Sequence, residues 1–90
     1  MLVIGRNDGE SILLHVGKKT AKLTVRADDN LRLYRGTKCV VSLEAAQDSE
    51  WFTVFEKTVR IMLVRFRGFD SVNIGIEADD DVIIARDDKR

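Results

Sequence analysis

The 90-residue sequence contains no proline, a single cysteine and a single histidine, and its formal net charge is zero. Without a proline or a Gly/Ser-rich linker, nothing marks a domain boundary, so one domain spanning residues 1–90 is predicted. A lone cysteine, Cys39, excludes an intrachain disulfide, and with only His15 beside it the ligands of a zinc site are too few. A chain this short buries little apolar surface. Dimerisation is the remaining common source of stability, so we expect a homodimer.

Long apolar runs and catalytic motifs are also missing. The longest apolar runs cannot span a bilayer, and the start lacks the basic residues and long apolar core of a signal peptide, so a cytoplasmic protein without membrane association is expected. The sequence contains no nucleophile elbow, phosphate loop, HExxH pair or Cys/His dyad, so we expect no enzymatic activity, cofactor or metal. The acidic run 79–81 is interpreted as a solvated turn rather than a cation site.

The charges are balanced in number but unevenly placed along the chain. Zero net charge is unusual for a nucleic-acid binder, because phosphate contacts normally require excess lysine and arginine. Residues 18–38 nevertheless hold an excess of bases, residues 57–68 hold four bases and no acid, and residues 70–81 hold five acids and no base. Two interpretations remain open: one basic face, or alternating strand charges that keep solvent-facing sides hydrated.

Apolar and polar residues alternate along most of the chain, as in half-buried strands. Strands are predicted over residues 1–6, 11–16, 20–27, 31–34, 38–45, 58–67, 72–77 and 82–86. Gly9 ends the turn Asn7-Asp8-Gly9, where it can take the positive φ of a tight hairpin. The pattern predicts an all-β fold, mainly antiparallel, in the form of a small barrel or sandwich.

Residues 48–58 fit two structures. Apolar side chains there recur at helical spacing, and Asp48 or Ser49 could cap a first turn. The same stretch is rich in tryptophan, phenylalanine, threonine and valine, which favour strands. We expect a short helix near residues 49–57.

Two segments of the chain carry a recognisable pattern. The opening Met1–Leu14 reads MLVIGRNDGESILL, and the second half carries V-x-I-G-I-x-A followed by a hydrophobic strand that ends in arginine. The matching positions there are Val72, Ile74, Gly75, Ile76, Ala78, Val82, Ile84 and Arg86. In order and spacing, residues 1–15 and 59–88 resemble the carbon storage regulator (CsrA/RsmA) family of small bacterial RNA-binding translational repressors. A long-insert branch of that family places a helix just before its third strand, which favours the helix near residues 49–57.

The resemblance implies a function and a site. In that family two subunits interlock, and the first strand of one chain lies beside the last strand of the other. Each such edge binds a GGA in an RNA hairpin loop, usually in an mRNA leader, and small regulatory RNAs are possible ligands; DNA is not expected. The RNA-binding residues that it implies are Ile4, Gly5, Arg6, Asn7, Ala78, Val82, Ile84 and Arg86. Arg86 stands out, because a guanidinium offers a fixed fork of donors to phosphate or guanine; the alternative is a surface arginine paired with Asp87 or Asp88.

Residues 16–58 form an insertion that short members of the family lack. Its alternating segments are similar to the strands of the last third, and two interpretations stay open: a degenerate internal copy, or a chance similarity between alternating strands. A duplication would let one chain supply both strands that the family takes from two subunits.

The chain departs from the family pattern near the implied site. Asn7 stands where many members have a second arginine, Asp79 where proline is common, Asp80 where a base is frequent and Ala85 where histidine is frequent. Acids there would repel RNA. Two other functions therefore stay open: a protein-interaction module of the same shape that does not bind RNA, and a small β-domain whose similarity is coincidental.

Overall fold

The computed structural model describes residues 1–44 and 48–87, and these form two antiparallel sheets. The strands are β1 Leu2–Asn7, β2 Ser11–Val16, β3 Lys19–Ala27, β4 Leu31–Arg35, β5 Lys38–Leu43, β6 Phe52–Val54, β7 Lys57–Phe66, β8 Ser71–Ala78 and β9 Val82–Arg86. Sheet A has the order β1-β8-β7-β6, and sheet B has the order β5-β4-β3-β2-β9. The predicted all-β, antiparallel fold is confirmed. The part of the chain that is described contains no helix that could cross a membrane.

The core lies between the inward faces of the two sheets. Along β3 the side chains of Ala21, Leu23 and Val25 are buried while the residues between them are partly or fully exposed, which is the alternation that a strand with one solvated face requires. Ile61 of β7 and Ile74 of β8 are fully buried in the same cluster. Each such side chain contributes about 1.5–3 kcal/mol by leaving water. One core therefore joins both sheets.

The turn after β1 carries the chain from one sheet to the other. Gly9 has φ +89°, as predicted for this turn. The prediction of a tight hairpin between the first two strands is wrong, because β1 pairs with β8 and β2 pairs with β3. The turn amides bond to both sheets instead: Asp8 donates to Asp70 O and Gly9 donates to Val25 O, each at 2.7 Å.

The helix expected near residues 49–57 is not formed. Phe52–Val54 is strand β6, which pairs with β7, and Val54 is 2% exposed. Ser49 does not cap a helix: its amide donates to Ile61 O at 2.7 Å, and its hydroxyl oxygen accepts the Ile61 amide at 2.8 Å. The strand propensity of this segment prevailed because these bonds extend the ladder at the edge of sheet A.

The turn between β6 and β7 has an unusual backbone. Phe55 and Glu56 both adopt positive φ, 49° and 69°. Two consecutive left-handed residues connecting two strands match a type I′ hairpin turn, whose twist matches that of the strands. The left-handed region costs a residue other than glycine about 1–2 kcal/mol.

Glycine at position 56 is expected to stabilise the protein. Glu56→Gly removes the free-energy cost of the left-handed conformation, and this gain exceeds the loss that comes from the greater conformational entropy of the unfolded chain. The free energy of unfolding, measured by urea denaturation, should therefore rise by about 0.5–1 kcal/mol. Thr53→Gly is the matched control: it places glycine in strand β6, where the free energy of unfolding should fall by about 0.5–1 kcal/mol. Equal destabilisation by both variants would contradict the expected strain.

The insertion is an integral part of the fold. Within residues 16–58 the structure contains β3, β4, β5 and β6, so the insertion supplies most of sheet B and the edge of sheet A. The strand predicted over residues 38–45 ends at Leu43, and Ala45 lies outside the described residues. The three strands β3-β4-β5 form a meander, whereas β9 leaves the β7-β8 hairpin to pair with β2. The two segments that resemble each other in sequence therefore differ in topology.

Candidate nucleic-acid interface

The first and last strands are both sheet edges. Within residues 1–44 and 48–87, β1 pairs only with β8 in sheet A, and β9 pairs only with β2 in sheet B. One side of each backbone therefore lies outside the ladders. The exposed side chains there include Leu2, 43% exposed, and Ile83, 66% exposed. Edges of this kind are where proteins accept further hydrogen-bonding partners.

β1 and β9 face each other across a groove where the edges of the two sheets approach. Near their starts, a groove of about 260 Å³ is lined by Leu2 of β1 and by Val82 and Ile84 of β9. Near their ends, Ser11 O accepts the Arg6 guanidinium and the Asp87 amide, both at 3.2 Å. The starts of the two strands therefore lie at one end of this junction, and their ends lie at the other. We call residues 1–7 and 82–87 together the β1–β9 seam.

The seam is assembled within one chain. The family resemblance implies that the two strands come from different subunits, whereas here Leu2 and Val82 of the same chain line one groove. This is the arrangement that one chain imitating two would need. The groove also has a polar wall, formed by Glu77, Asp79 and Asp80.

The eight predicted site residues fall at different places on this seam. Ala78, Val82 and Ile84 line the groove; Ile4 packs half-buried against the core; Gly5 is half-buried in β1; Arg6 is buried; Asn7 and Arg86 are exposed at the ends of β1 and β9. Arg86 is paired with Ile12 across β2 and β9, beside Ser11, so Arg6 and Arg86 come to the same end of the seam. Asp87, one of the two acids named as alternative partners of Arg86, forms an ion pair with Lys22 at 3.2 Å, and Asp88 lies outside the described residues.

The surroundings of Arg6 indicate that this residue stabilises the fold. Its side chain is almost fully buried, and its guanidinium donates from Nε to Gly5 O at 2.8 Å and from Nη1 to Ser11 O at 3.2 Å. Glu10 lies 3.8 Å from Nε and balances the charge. Buried charged groups are tolerated when they are paired and hydrogen-bonded in this way. The guanidinium thus ties β1 to the start of β2, and it faces inward rather than toward the seam surface.

The acidic turn beside the groove is largely engaged by β7. Asp79 accepts from the amide and the hydroxyl of Thr58, each at 3.2 Å, and the Asp81 carboxylate lies 2.6 Å from Lys57 Nζ. The hydrogen bond and the positive charge of Lys57 lower the pKa of Asp81 below its ordinary value of 3.8. The repulsion of RNA expected from this turn is accordingly smaller than three unpaired acids would exert.

Removing Lys57 is expected to raise the pKa of Asp81. Because folding lowers this pKa, the ion pair stabilises the folded state above the ordinary pKa of an aspartate, and the contribution is lost as the pH falls through the folded-state value. Lys57→Met should therefore return the pKa toward 3.8, as measured by carboxyl-carbon NMR titration. Lys38→Met, at the start of β5, is the control and should leave it unchanged. An unaltered pKa in Lys57→Met would show that the pair does not form in solution.

The basic stretch 18–38 is compensated by acids only in part. Three of its cations lie on sheet B and pair with acids: Lys22 with Asp87 at 3.2 Å, Arg26 with Asp8 at 3.0 Å and Arg32 with Asp28 at 2.7 Å. Some of the bases that are segregated along the chain therefore form ion pairs with acids in the folded protein. Ion pairs at the surface contribute little stability.

Arg67 lies outside the eight predicted site residues but contacts one of them. Its guanidinium lies over Gly5 of β1: a Cβ placed at Gly5 would fall 2.9 Å from Arg67 Cζ and Nη1. Gly5 therefore permits a close approach between strand and arginine. The available signal was the run 57–68, which contains bases but no acid, although nothing in that run indicates that Arg67 reaches β1.

The described residues contain no group of three or more histidine, cysteine or acidic side chains placed to hold a metal ion. Comparison of the chain with protein-family models, with curated proteins and with solved structures finds no match.

Proposed function

We propose that this protein is a sequence-specific RNA-binding regulator that binds GGA-containing hairpin loops in mRNA leaders and represses translation. The observation that carries the proposal is the placement of β1 and β9, two sheet edges, on the two sides of one groove in the β1–β9 seam. The sequence segments that resemble carbon storage regulators include both of these strands, and this combination supports RNA as the ligand.

The physical properties of the seam suit unpaired bases. Sequence-specific RNA recognition targets loop nucleotides, whose edges can be read by backbone N–H and C=O groups. An edge strand presents such groups at regular spacing. The apolar groove walls of Leu2, Val82 and Ile84 can pack against base faces. Arg86, exposed at the end of β9, can reach a phosphate or a guanine edge. A loop held there would be withheld from the ribosome.

The proposed assembly is a homodimer with one seam in each chain. Because each chain already brings its own β1 and β9 together, dimer formation would double the number of sites rather than complete them. Sedimentation equilibrium is expected to give twice the mass of the chain. If the protein is a monomer that binds one RNA hairpin, the proposed function stands and the proposed homodimer is refuted.

The experiment that tests the proposed function is a fluorescence-anisotropy titration at physiological salt. The RNA is a short hairpin with GGA in its loop, and the control is the same hairpin with CCA. Each lost base contact typically costs about 1–3 kcal/mol, so binding to CCA should be weaker by at least about 10-fold. Equal weak binding to both hairpins, or no binding, would refute RNA regulation by loop recognition.

A protein-interaction module is the second candidate. It is favoured by exposed apolar side chains beside the β1 edge, where Met1 is 69% and Val3 is 47% exposed, and by the zero net charge. Such an edge can take up a strand from another protein by β-augmentation. This function predicts no RNA affinity at physiological salt, so the same titration separates the two candidates.

A further inference from the structure

The outward face of sheet A carries a basic surface next to the seam. We call Gly5, Val64, Arg65, Arg67 and Phe69 the outer arginine face. Val64 is 42% exposed and Phe69 is 93% exposed, and the two arginines are also exposed. This face lies outside the eight residues that the family resemblance implied, apart from Gly5.

A β-bulge creates this surface. The pairing of β7 with β8 shifts between Leu63 and Arg65, so that Val64 is the extra residue. Leu63 is buried and Phe66 packs against the core, while Val64 and Arg65 between them are both exposed. Bulges of this kind re-aim side chains next to functional sites.

The outer arginine face continues directly into the β1–β9 seam. Arg65 is paired with Asn73, which is paired with Gly5, so the three positions form one row across sheet A. Arg67 closes the row by placing its guanidinium over Gly5. A polymer bound at the seam would therefore reach both arginines without leaving the protein surface.

The charge on this face is not balanced locally. Among residues 1–44 and 48–87, neither Arg65 nor Arg67 makes an ion pair, whereas Arg26 and Arg32 on sheet B each pair with an aspartate. Val64 directly precedes Arg65 in β7, and Phe69 follows Arg67 by two residues in the turn between β7 and β8. Cations beside stacking surfaces are the combination that binds unpaired nucleotides, because the phosphate takes the charge and the base takes the ring.

We propose that the outer arginine face binds the unpaired nucleotides adjoining the RNA hairpin whose loop is held at the seam. Arg65 and Arg67 each contact a backbone phosphate, and Phe69 offers a ring on which a flanking base stacks. This inference rests on the proposed function and extends it: the protein recognises a hairpin together with its single-stranded flank, rather than the loop alone.

The test compares two RNAs and two double variants. The RNAs are the GGA hairpin with blunt ends and the same hairpin with unpaired tails on both ends. The wild-type protein should bind the tailed RNA about 10-fold more tightly. The Arg65→Gln/Arg67→Gln protein should lose that difference and bind the blunt hairpin as wild type does. Its salt slope on the tailed RNA should fall by about 1.4, since each phosphate contact with a single strand contributes about 0.7.

Arg26→Gln/Arg32→Gln is the matched control, because it removes two arginines that are paired with acids on the other sheet. It should keep the full preference for the tailed RNA. Thermal melting of both double variants should match that of the wild type within a few degrees, since all four side chains are at least partly exposed.

The possible results separate the inference from the proposed function. If the blunt GGA hairpin is bound specifically but the tails add nothing, or if the Arg65/Arg67 variant keeps their effect, the inference is overturned and the proposed function stands. If the blunt hairpin is not bound, the proposed function fails. If the unpaired tail is then bound without the hairpin, and this binding depends on Arg65 and Arg67, the outer arginine face is still supported as a surface that binds unpaired nucleotides. If the tail is not bound either, that inference is overturned as well.

Discussion

Replacing Arg86 with alanine is expected to weaken binding of the GGA hairpin about 10- to 100-fold while leaving the folded protein intact. The lost interaction is that of a guanidinium fork with a phosphate or a guanine edge, typically about 1–3 kcal/mol. Arg86 is the last residue of β9 and its side chain is exposed, so truncation removes no core packing. The free energy of unfolding should change by less than about 0.5 kcal/mol. Anisotropy titration measures the affinity for the GGA hairpin, and urea denaturation measures the free energy of unfolding.

Two further variants sharpen the Arg86 test. Arg86→Lys keeps the positive charge but not the planar fork, and it should recover only part of the affinity. Arg35→Ala removes an exposed arginine at the end of β4, in the same sheet but three strands away from β9, and it should bind RNA as the wild type does. Wild-type affinity in Arg86→Ala would remove this residue from the site and leave the seam without its principal cation.

Arg6→Ala is expected to have the opposite outcome, because Arg6 is 3% exposed and bonded to two backbone carbonyls. Hydrogen bonds from charged groups contribute about 1.5–3 kcal/mol, so the free energy of unfolding should fall by about 2–3 kcal/mol. For a domain of this size, that loss should lower the melting temperature by roughly 10 °C or more. RNA affinity of the protein that remains folded should stay within a few-fold of the wild type.

Arg6→Met is the matched variant for this second prediction. It keeps most of the side-chain volume but cannot donate hydrogen bonds to Gly5 O or Ser11 O. Burial of an apolar side chain compensates part of the loss, so Arg6→Met should be less destabilised than Arg6→Ala. If Arg6→Ala instead unfolds like the wild type and loses RNA binding, Arg6 belongs to the recognition surface and its inward orientation changes on binding.

The strands were largely predictable because their signal is local. Val82–Arg86 has the bounds that the alternation indicated, and β3 and β8 differ from their predicted ranges by one or two residues. The prediction of a helix within residues 48–58 was wrong for an equally local reason. The apolar residues of this segment satisfy both the helical and the strand period, and strand pairing with β7 decided between the two structures. The turn at Gly9 was found, but a turn does not specify which strands it joins into one sheet.

The candidate site was predictable only in part. The pattern shared with carbon storage regulators pointed to β1 and β9, which the structure brings together, and to Arg86, which it exposes. The same pattern placed both Arg6 and Arg86 in the site, although one is buried and the other is exposed. The position of Arg67 over Gly5 could not be predicted, because it depends on the β7-β8-β1 pairing order.

The sequence by itself determined the all-β class and the positions of most strands, because a side-chain period of two residues is a property of neighbouring positions. Only the tertiary structure decided which strands are neighbours, which of the two arginines is buried and where the acids meet their cations. Those features arise from contacts between distant parts of the chain, and many register and pairing choices satisfy the same alternation. The packing of the two sheets around one core selects one set of strand pairings, because that set brings the inward side chains of both sheets into contact.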